Sequence, residues 1–232
     1  EEKWAEAAKN QNTKEVLLSA ARGKIYDRYG RVLAGNKQIF TVTFNASGLS
    51  TEQINASAYR TIRLLEKNGD TYVDNFPIKI TKSGKFYYTY DSSKKKWLKS
   101  LGLSKNATAE QAFEKLRAKY EIDPTLDRFD AMDELQNTHG VWPPINVRSM
   151  TFTYDTKKAA FISKYGLEVK ETDAEGNVTK RTDLTAKEAF QALRKKYKLD
   201  EDENKQPIPE DERLTYKEAR KIFVVREEIK NI

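Results

Sequence analysis

The sequence predicts an α+β fold organised around an internally duplicated strand–helix unit. Two observations carry that prediction: a segment that occurs twice, and a set of helix starts marked by one short pattern. Residues 108–123 match residues 185–200 at nine of sixteen positions, and such self-similarity is a signature of repeated architecture. Each copy follows an alternating aromatic run ending in Thr-Tyr-Asp, residues 86–91 in the first and 150–155 in the second. The predicted unit is therefore a strand followed by a helix, at about residues 84–123 and 147–200. Between the two landmarks the second copy is thirteen residues longer. The excess fits a hairpin over residues 167–181 with its turn at 173–177.

The helix starts follow from capping chemistry. Thr108 with Gln111, Thr185 with Glu188, Thr215 with Glu218 and Ser50 with Gln53 each match the capping box, in which two side chains satisfy orphan amides at a helix N-terminus. Behind these caps Ala112, Phe113, Leu116 and Tyr120, and their counterparts Ala189, Phe190, Leu193 and Tyr197, fall on one helical face. The same spacing holds for Ile54, Ala58, Ile62 and Leu65, and for Ala219, Ile222 and Phe223. Strands are predicted at 40–44, 72–73, 78–80, 86–90 and 147–154, with a tight hairpin closing at Ser83-Gly84. Residues 200–213, with seven carboxylates and Pro207 and Pro209, read as an exposed connecting loop.

Composition removes much of catalytic chemistry. The 232 residues contain no cysteine and one histidine, His139, which excludes thiol nucleophiles, thiolate metal sites and any two-histidine metal site. Charge is +7 with both signs interspersed, and no nucleic-acid motif accompanies it, so a nucleic-acid partner is not expected. No run approaches the ~18–20 apolar residues that span a bilayer, and the chain is expected to be soluble. It begins Glu1-Glu2-Lys3, and a trimmed longer parent with its anchor upstream is the expectation.

Near the N-terminus, Arg22-Gly-Lys-Ile-Tyr-Asp-Arg-Tyr-Gly-Arg-Val-Leu-Ala34 reads as a short hairpin. Asp27 opens a type I turn and Gly30 is free to take a positive φ, while Arg22, Asp27 and Arg28 are placed to pair locally. Apolar arms are supplied by Ile25, Val32 and Leu33. The run resembles the R-G-x-I-x-D-R-x-G-x-x-L-A motif that opens the non-catalytic N-terminal module of class B penicillin-binding proteins. Arg22, Gly23, Ile25, Asp27, Arg28, Gly30, Leu33 and Ala34 all stand where that pattern wants them. Tyr29 replaces its usual asparagine. Trp4, Ala7, Ala8 and Asn10 are similar to the segment leaving the membrane anchor, and the helix after Thr215 to the Glu-Ala-Arg-Lys-Ile stretch of the same module.

The resemblance implies a fold like the penicillin-binding-protein dimerisation module, with residues 1–45 as membrane-proximal linker and hairpin and 46–232 as the α+β pedestal. It implies a non-enzymatic scaffold without cofactor or metal, outside the cytoplasmic membrane and tethered by an upstream helix. The implied partners are the transpeptidase domain of the same parent chain and a SEDS-type glycosyltransferase; pairing of two copies as a homodimer through the exposed N-terminal hairpin is an alternative that the sequence leaves open. A functional transpeptidase would need Ser-x-x-Lys, Ser-x-Asn and Lys-Thr/Ser-Gly in that order. Here Ser92-Ser-Lys-Lys95, Ser104-Lys-Asn106 and Lys82-Ser-Gly84 fit by text alone, in the wrong order and within 25 residues. Ser92 is expected in a solvated loop.

Two further patterns have ordinary readings. Asp200, Asp202 and Asn204 begin like a calcium loop, but Lys205 stands where glycine makes the turn. Lys94, Lys95, Lys96, Trp97 and Lys99 interleave cations with an aromatic ring and form the candidate surface of the alternative function, a free-standing cell-surface module binding glycan or an anionic wall polymer. The ordinary reading turns Trp97 and Leu98 inward beneath a charged face.

Overall fold

The computed structural model describes residues 23–36, 48–172, 176–202 and 204–229. The chain divides after Ser50 into two compact units. The first contains a hairpin of β1, Ile25–Tyr26, and β2, Val32–Ala34. The second holds α1 (Thr51–Asn68), the hairpin β3 (Ile78–Ile80) and β4 (Phe86–Tyr88), then α2 (Thr89–Ser100), α3 (Ala109–Lys119) and α4 (Arg128–Asp133) with a π-helical turn at Glu134–Thr138. A second hairpin follows, β5 (Ile145–Asn146) and β6 (Thr151–Phe152), then α5 (Thr153–Tyr165), a third hairpin β7 (Val169–Thr172) and β8 (Val178–Arg181), α6 (Ala186–Lys196) and α7 (Tyr216–Ile229). Among the described residues the strands pair only as separate two-stranded antiparallel hairpins. Such hairpins are marginal alone and depend on helices packed against them.

The α+β expectation holds, but the repeat is longer and richer than strand plus helix. Thr-Tyr-Asp opens a helix in both copies, so the strands expected to run to Tyr90 and Tyr154 stop at Tyr88 and Phe152. The reason is tertiary. The Thr89 amide donates to the Pro77 carbonyl at 2.8 Å and the Thr153 amide to that of Pro144 at 2.9 Å, so the hairpin's own first carbonyl satisfies an orphan amide of the helix that follows. Both helices end alike: Gly102 and Gly166 have φ of 70° and 57°, and Leu103 and Leu167 each donate back to the helix at 3.0 Å, the left-handed stop that suits glycine. Tyr72 and Val73 are not in a strand. The predictions at 40–44 and at the 173–177 turn fall wholly or partly outside the described residues, whereas β7 and β8 form the inserted hairpin.

The capped helices match their signals. Thr108 with Gln111 and Thr185 with Glu188 form complete capping boxes, and Thr215 exchanges bonds with Glu218 at 2.9 and 3.3 Å. After α3 and α6 the chain turns through Glu121 and Lys198, both at positive φ. There Arg117 and Arg194 each reach past the turn, to the Leu126 carbonyl at 3.1 Å and the Leu214 carbonyl at 2.9 Å. Those residues directly precede the caps Asp127 and Thr215, so α4 and α7 also correspond.

Two hydrophobic cores form, and each mixes the copies. One joins Ile78 and Tyr88 of the first hairpin to Phe161 on α5, Phe190 and Leu193 on α6, Ile222 and Phe223 on α7, and Ile62 on α1. The other joins Ile145 and Phe152 of the second hairpin to Leu98 on α2, Phe113 and Leu116 on α3, and Leu135. Thus each hairpin packs against helices of the other copy. Burying one such Phe or Leu contributes ~1.5–3 kcal/mol, so neither copy completes a core alone.

Candidate functional site

In the N-terminal hairpin one carboxylate organises the turn. Asp27 Oδ1 accepts from the amides of Tyr29 and Arg31, both at 2.8 Å, and the Gly30 amide donates to the Asp27 carbonyl at 3.0 Å. Gly30 has φ of 76°, a region L side chains resist. The Arg31 amide, with the Arg31 side chain and the Tyr29 amide, holds the Asp27 carboxyl below its usual range. The ion-pair partner of Asp27 is Arg31, at 2.7 Å, and not Arg28, whose guanidinium instead lies over the Tyr29 ring at 4.6 Å. Arg31 lies four residues along, on the returning arm, where the turn brings it under the carboxylate. The register slips by one residue between Ile25↔Ala34 and Tyr26↔Val32, the mark of a bulge. Arg22, and Trp4, Ala7, Ala8 and Asn10, lie outside the described residues.

The Lys94–Lys99 segment lies on α2 rather than in a loop. Its five candidate residues divide between two faces. Lys94 turns inward to pair with Asp155 at 2.7 Å and to cover the Phe152 ring at 5.5 Å, and Trp97 meets that ring edge-on at 6.1 Å above the fully buried Leu98. Lys95, Lys96 and Lys99 are exposed. Ser92 therefore sits in the first turn of a helix, contrary to the loop expectation, because the Pro77 carbonyl caps that turn. Lys95 falls three residues beyond Ser92 on the surface face, while Lys82-Ser-Gly84 forms the β3–β4 turn. Among the described residues no buried serine, lysine and strand edge converge as acyl transfer requires.

Residues that the sequence did not single out complete the picture. Lys158 lies over the Tyr88 ring at 5.0 Å, and Phe161 meets that ring at 6.4 Å and 76°. These are the counterparts of Lys94 and Trp97 on Phe152, sixty-four residues along. The two copies thus grip each other's hairpins with the same chemistry. Lys158, however, pairs with Asp183 at 3.3 Å and not with Asp91, the counterpart of Asp155.

Elsewhere the charged groups are structural. Arg181 and the Thr185 groups hold Glu188 at about 2, and Tyr59 with Thr215 holds Glu218 at about 2. Arg226, buried, stacks on Tyr197 at 4.1 Å and donates to Asn55 Oδ1 at 2.8 Å and to the Thr51 carbonyl at 2.9 Å. The 200–213 segment does more than connect. Asp202 Oδ1 accepts its own loop's Asn204 and Gln206 amides at 2.9 and 2.7 Å, and Asp200 pairs with Arg194. Among the described residues no group of three acidic or histidine side chains is placed to hold a metal ion, and no helix is long and apolar enough to cross a membrane.

The described residues form an α+β body of interlocked hairpins and helices and, in a separate compact unit, a turn-locked N-terminal hairpin, the architecture of a structural module. The family model of the penicillin-binding protein dimerisation domain matches residues 17–232. The chain belongs to that family and is a non-catalytic module of a penicillin-binding protein. A search of the curated proteins gives no match.

Proposed function

We propose that the chain is the pedestal of a class B penicillin-binding protein, holding the transpeptidase domain of the same parent at a fixed place outside the cytoplasmic membrane. The observation that supports this reading most is the reciprocal packing of the two copies. A spacer must resist bending, and two cores that each need both halves of the chain cannot separate without losing buried apolar surface. The hairpin of Arg22, Gly23, Ile25, Asp27, Arg28, Gly30, Leu33 and Ala34 serves as the joint toward an upstream membrane anchor. Its hydrogen bonds from Tyr29, Gly30 and Arg31 to Asp27 fit a stiff turn. A SEDS-type glycosyltransferase and a second copy of the chain are the partners this role calls for in peptidoglycan synthesis.

Deleting this module from its parent tests the reading. Labelled penicillin should still acylate the parent's transpeptidase, while wall synthesis and co-purification of the glycosyltransferase are lost. Normal wall synthesis without the module contradicts it. Labelled penicillin should leave the isolated module unlabelled, and acylation at Ser92 would overturn its non-catalytic role. The exposed Lys95, Lys96 and Lys99 favour a second reading, a module that binds anionic wall polymer. Salt-sensitive retention on purified polymer, abolished by reversing those three charges, distinguishes it.

A further inference from the structure

Between the β3–β4 hairpin, the first turn of α2, α5 and the start of α6 lies a groove of about 770 Å³. Its charged lining is Lys85, Lys95, Lys158 and Arg181 against Asp91 and Asp183. Two of the cations are already used: Lys158 on Asp183 at 3.3 Å, and Arg181 on Glu171 and Glu188 at 2.7 and 2.6 Å. Lys85 and Lys95 are exposed and form no ion pair among the described residues.

The duplication supplies an internal control. At the equivalent place around Phe152, Lys94 pairs with Asp155 at 2.7 Å, and the second-copy positions equivalent to Lys85 and Lys95 are Ser149 and Ala159. The two unpaired cations are thus present in one copy only, together at one groove, so the shared packing of the copies does not require them.

The groove also carries a main-chain edge. Bonds from the Thr81 amide to Lys85 and from the Thr89 amide to Pro77, at 3.0 and 2.8 Å, fix which facing pairs of the hairpin are hydrogen-bonded. Ile80↔Phe86 is then a non-hydrogen-bonded pair, so the amide and carbonyl of Phe86, a residue that lines the groove, point away from β3. On the opposite edge Arg220 Nε already covers the Ile78 carbonyl at 2.7 Å.

We propose that this groove binds an acidic polypeptide segment in extended form, its main chain pairing with the open edge of β4 at Phe86 and its carboxylates meeting Lys85 and Lys95. Strand addition supplies main-chain hydrogen bonds while alternate side chains give specificity. With one face of the added strand turned to the lysines, glutamate or aspartate at every second position matches them. The occupant is a protein partner, and the assignment stands apart from the pedestal role.

The test is fluorescence anisotropy of the whole chain with a labelled ten-residue peptide alternating Glu and Thr. Saturable binding is expected, weakened at least tenfold by Lys85→Glu with Lys95→Glu at unchanged melting temperature. Lys85→Gln with Lys95→Gln gives the same direction if charge reversal disturbs folding. Lys96→Glu with Lys99→Glu, elsewhere on α2, should change affinity less than twofold, and N-methylating alternate peptide amides should cost at least tenfold. The proposal is overturned by absence of saturable binding, by equal loss from the Lys96 and Lys99 pair, by undiminished binding of the N-methylated peptide, or by linear polyphosphate competing as well as the peptide.

Discussion

Tyr88 and Phe152 hold equivalent places in the two copies, each under a lysine and each edge-on to an aromatic ring of the other copy. Around Phe152 the lysine closes onto Asp155. Around Tyr88 it turns to Asp183, and a groove remains. The inserted hairpin β7–β8 accounts for the difference, because its last residues deliver Arg181 and Asp183 to the Tyr88 side, and the shorter first copy has no such segment. What the copies share holds the body together; what one copy added is where a surface feature arose.

The largest effects should come from the shared grip. Phe161→Ala removes a buried ring that contacts Tyr88, Phe76 and Tyr165 and should cost ~3–5 kcal/mol in urea unfolding. Trp97→Ala, at the equivalent but half-buried position, should cost less. Equal losses would mean that the two cores are better matched than their burial shows.

The caps come next. Thr185→Ala and Thr108→Ala should each destabilise by ~0.5–2 kcal/mol. They should differ in pH dependence, because only the second copy's box carries a carboxylate. Glu188 and Glu218 sit at about 2 against an ordinary 4.5. Between those values the unfolded chain binds protons that the folded chain does not, so their stabilisation is full above about 4.5 and is lost as pH falls toward about 2. Glu188→Gln should flatten that part of the urea-midpoint profile, and an unchanged slope would break the assignment. The smallest effect belongs to the Lys94–Asp155 pair: Lys94→Met should change stability by ~0–1 kcal/mol. A larger loss would mean that this pair, rather than the apolar grip, holds the first copy's helix on Phe152.

What the sequence disclosed depended on how local the physics is. The boxes at Thr108, Thr185 and Thr215 were legible because donor and acceptor lie three residues apart. The starts of α2 and α5 were not, because no side chain caps them and their capping carbonyls lie twelve and nine residues back. The aromatic run before Thr-Tyr-Asp therefore reads as strand until the hairpin is seen to fold under the helix. The helix after Asp127 was missed although its signal was present, an aspartate whose Oδ1 takes the Phe129 and Asp130 amides at 2.7 and 2.9 Å. Of the candidate residues, the Asp27–Gly30 turn could be read from residue type alone. The division of Lys94 to Lys99 between two faces could not, since it depends on Asp155 and Phe152 arriving from the other copy.

Cutting the chain at Gly140, between the two copies, tests the interlock most directly. With a protease site placed in that exposed turn, the cleaved halves should stay together on gel filtration under native conditions. Once separated in denaturant, neither half should show cooperative unfolding by circular dichroism until it is mixed with the other. A half that folds and melts cooperatively by itself would contradict the reciprocal cores on which the account rests.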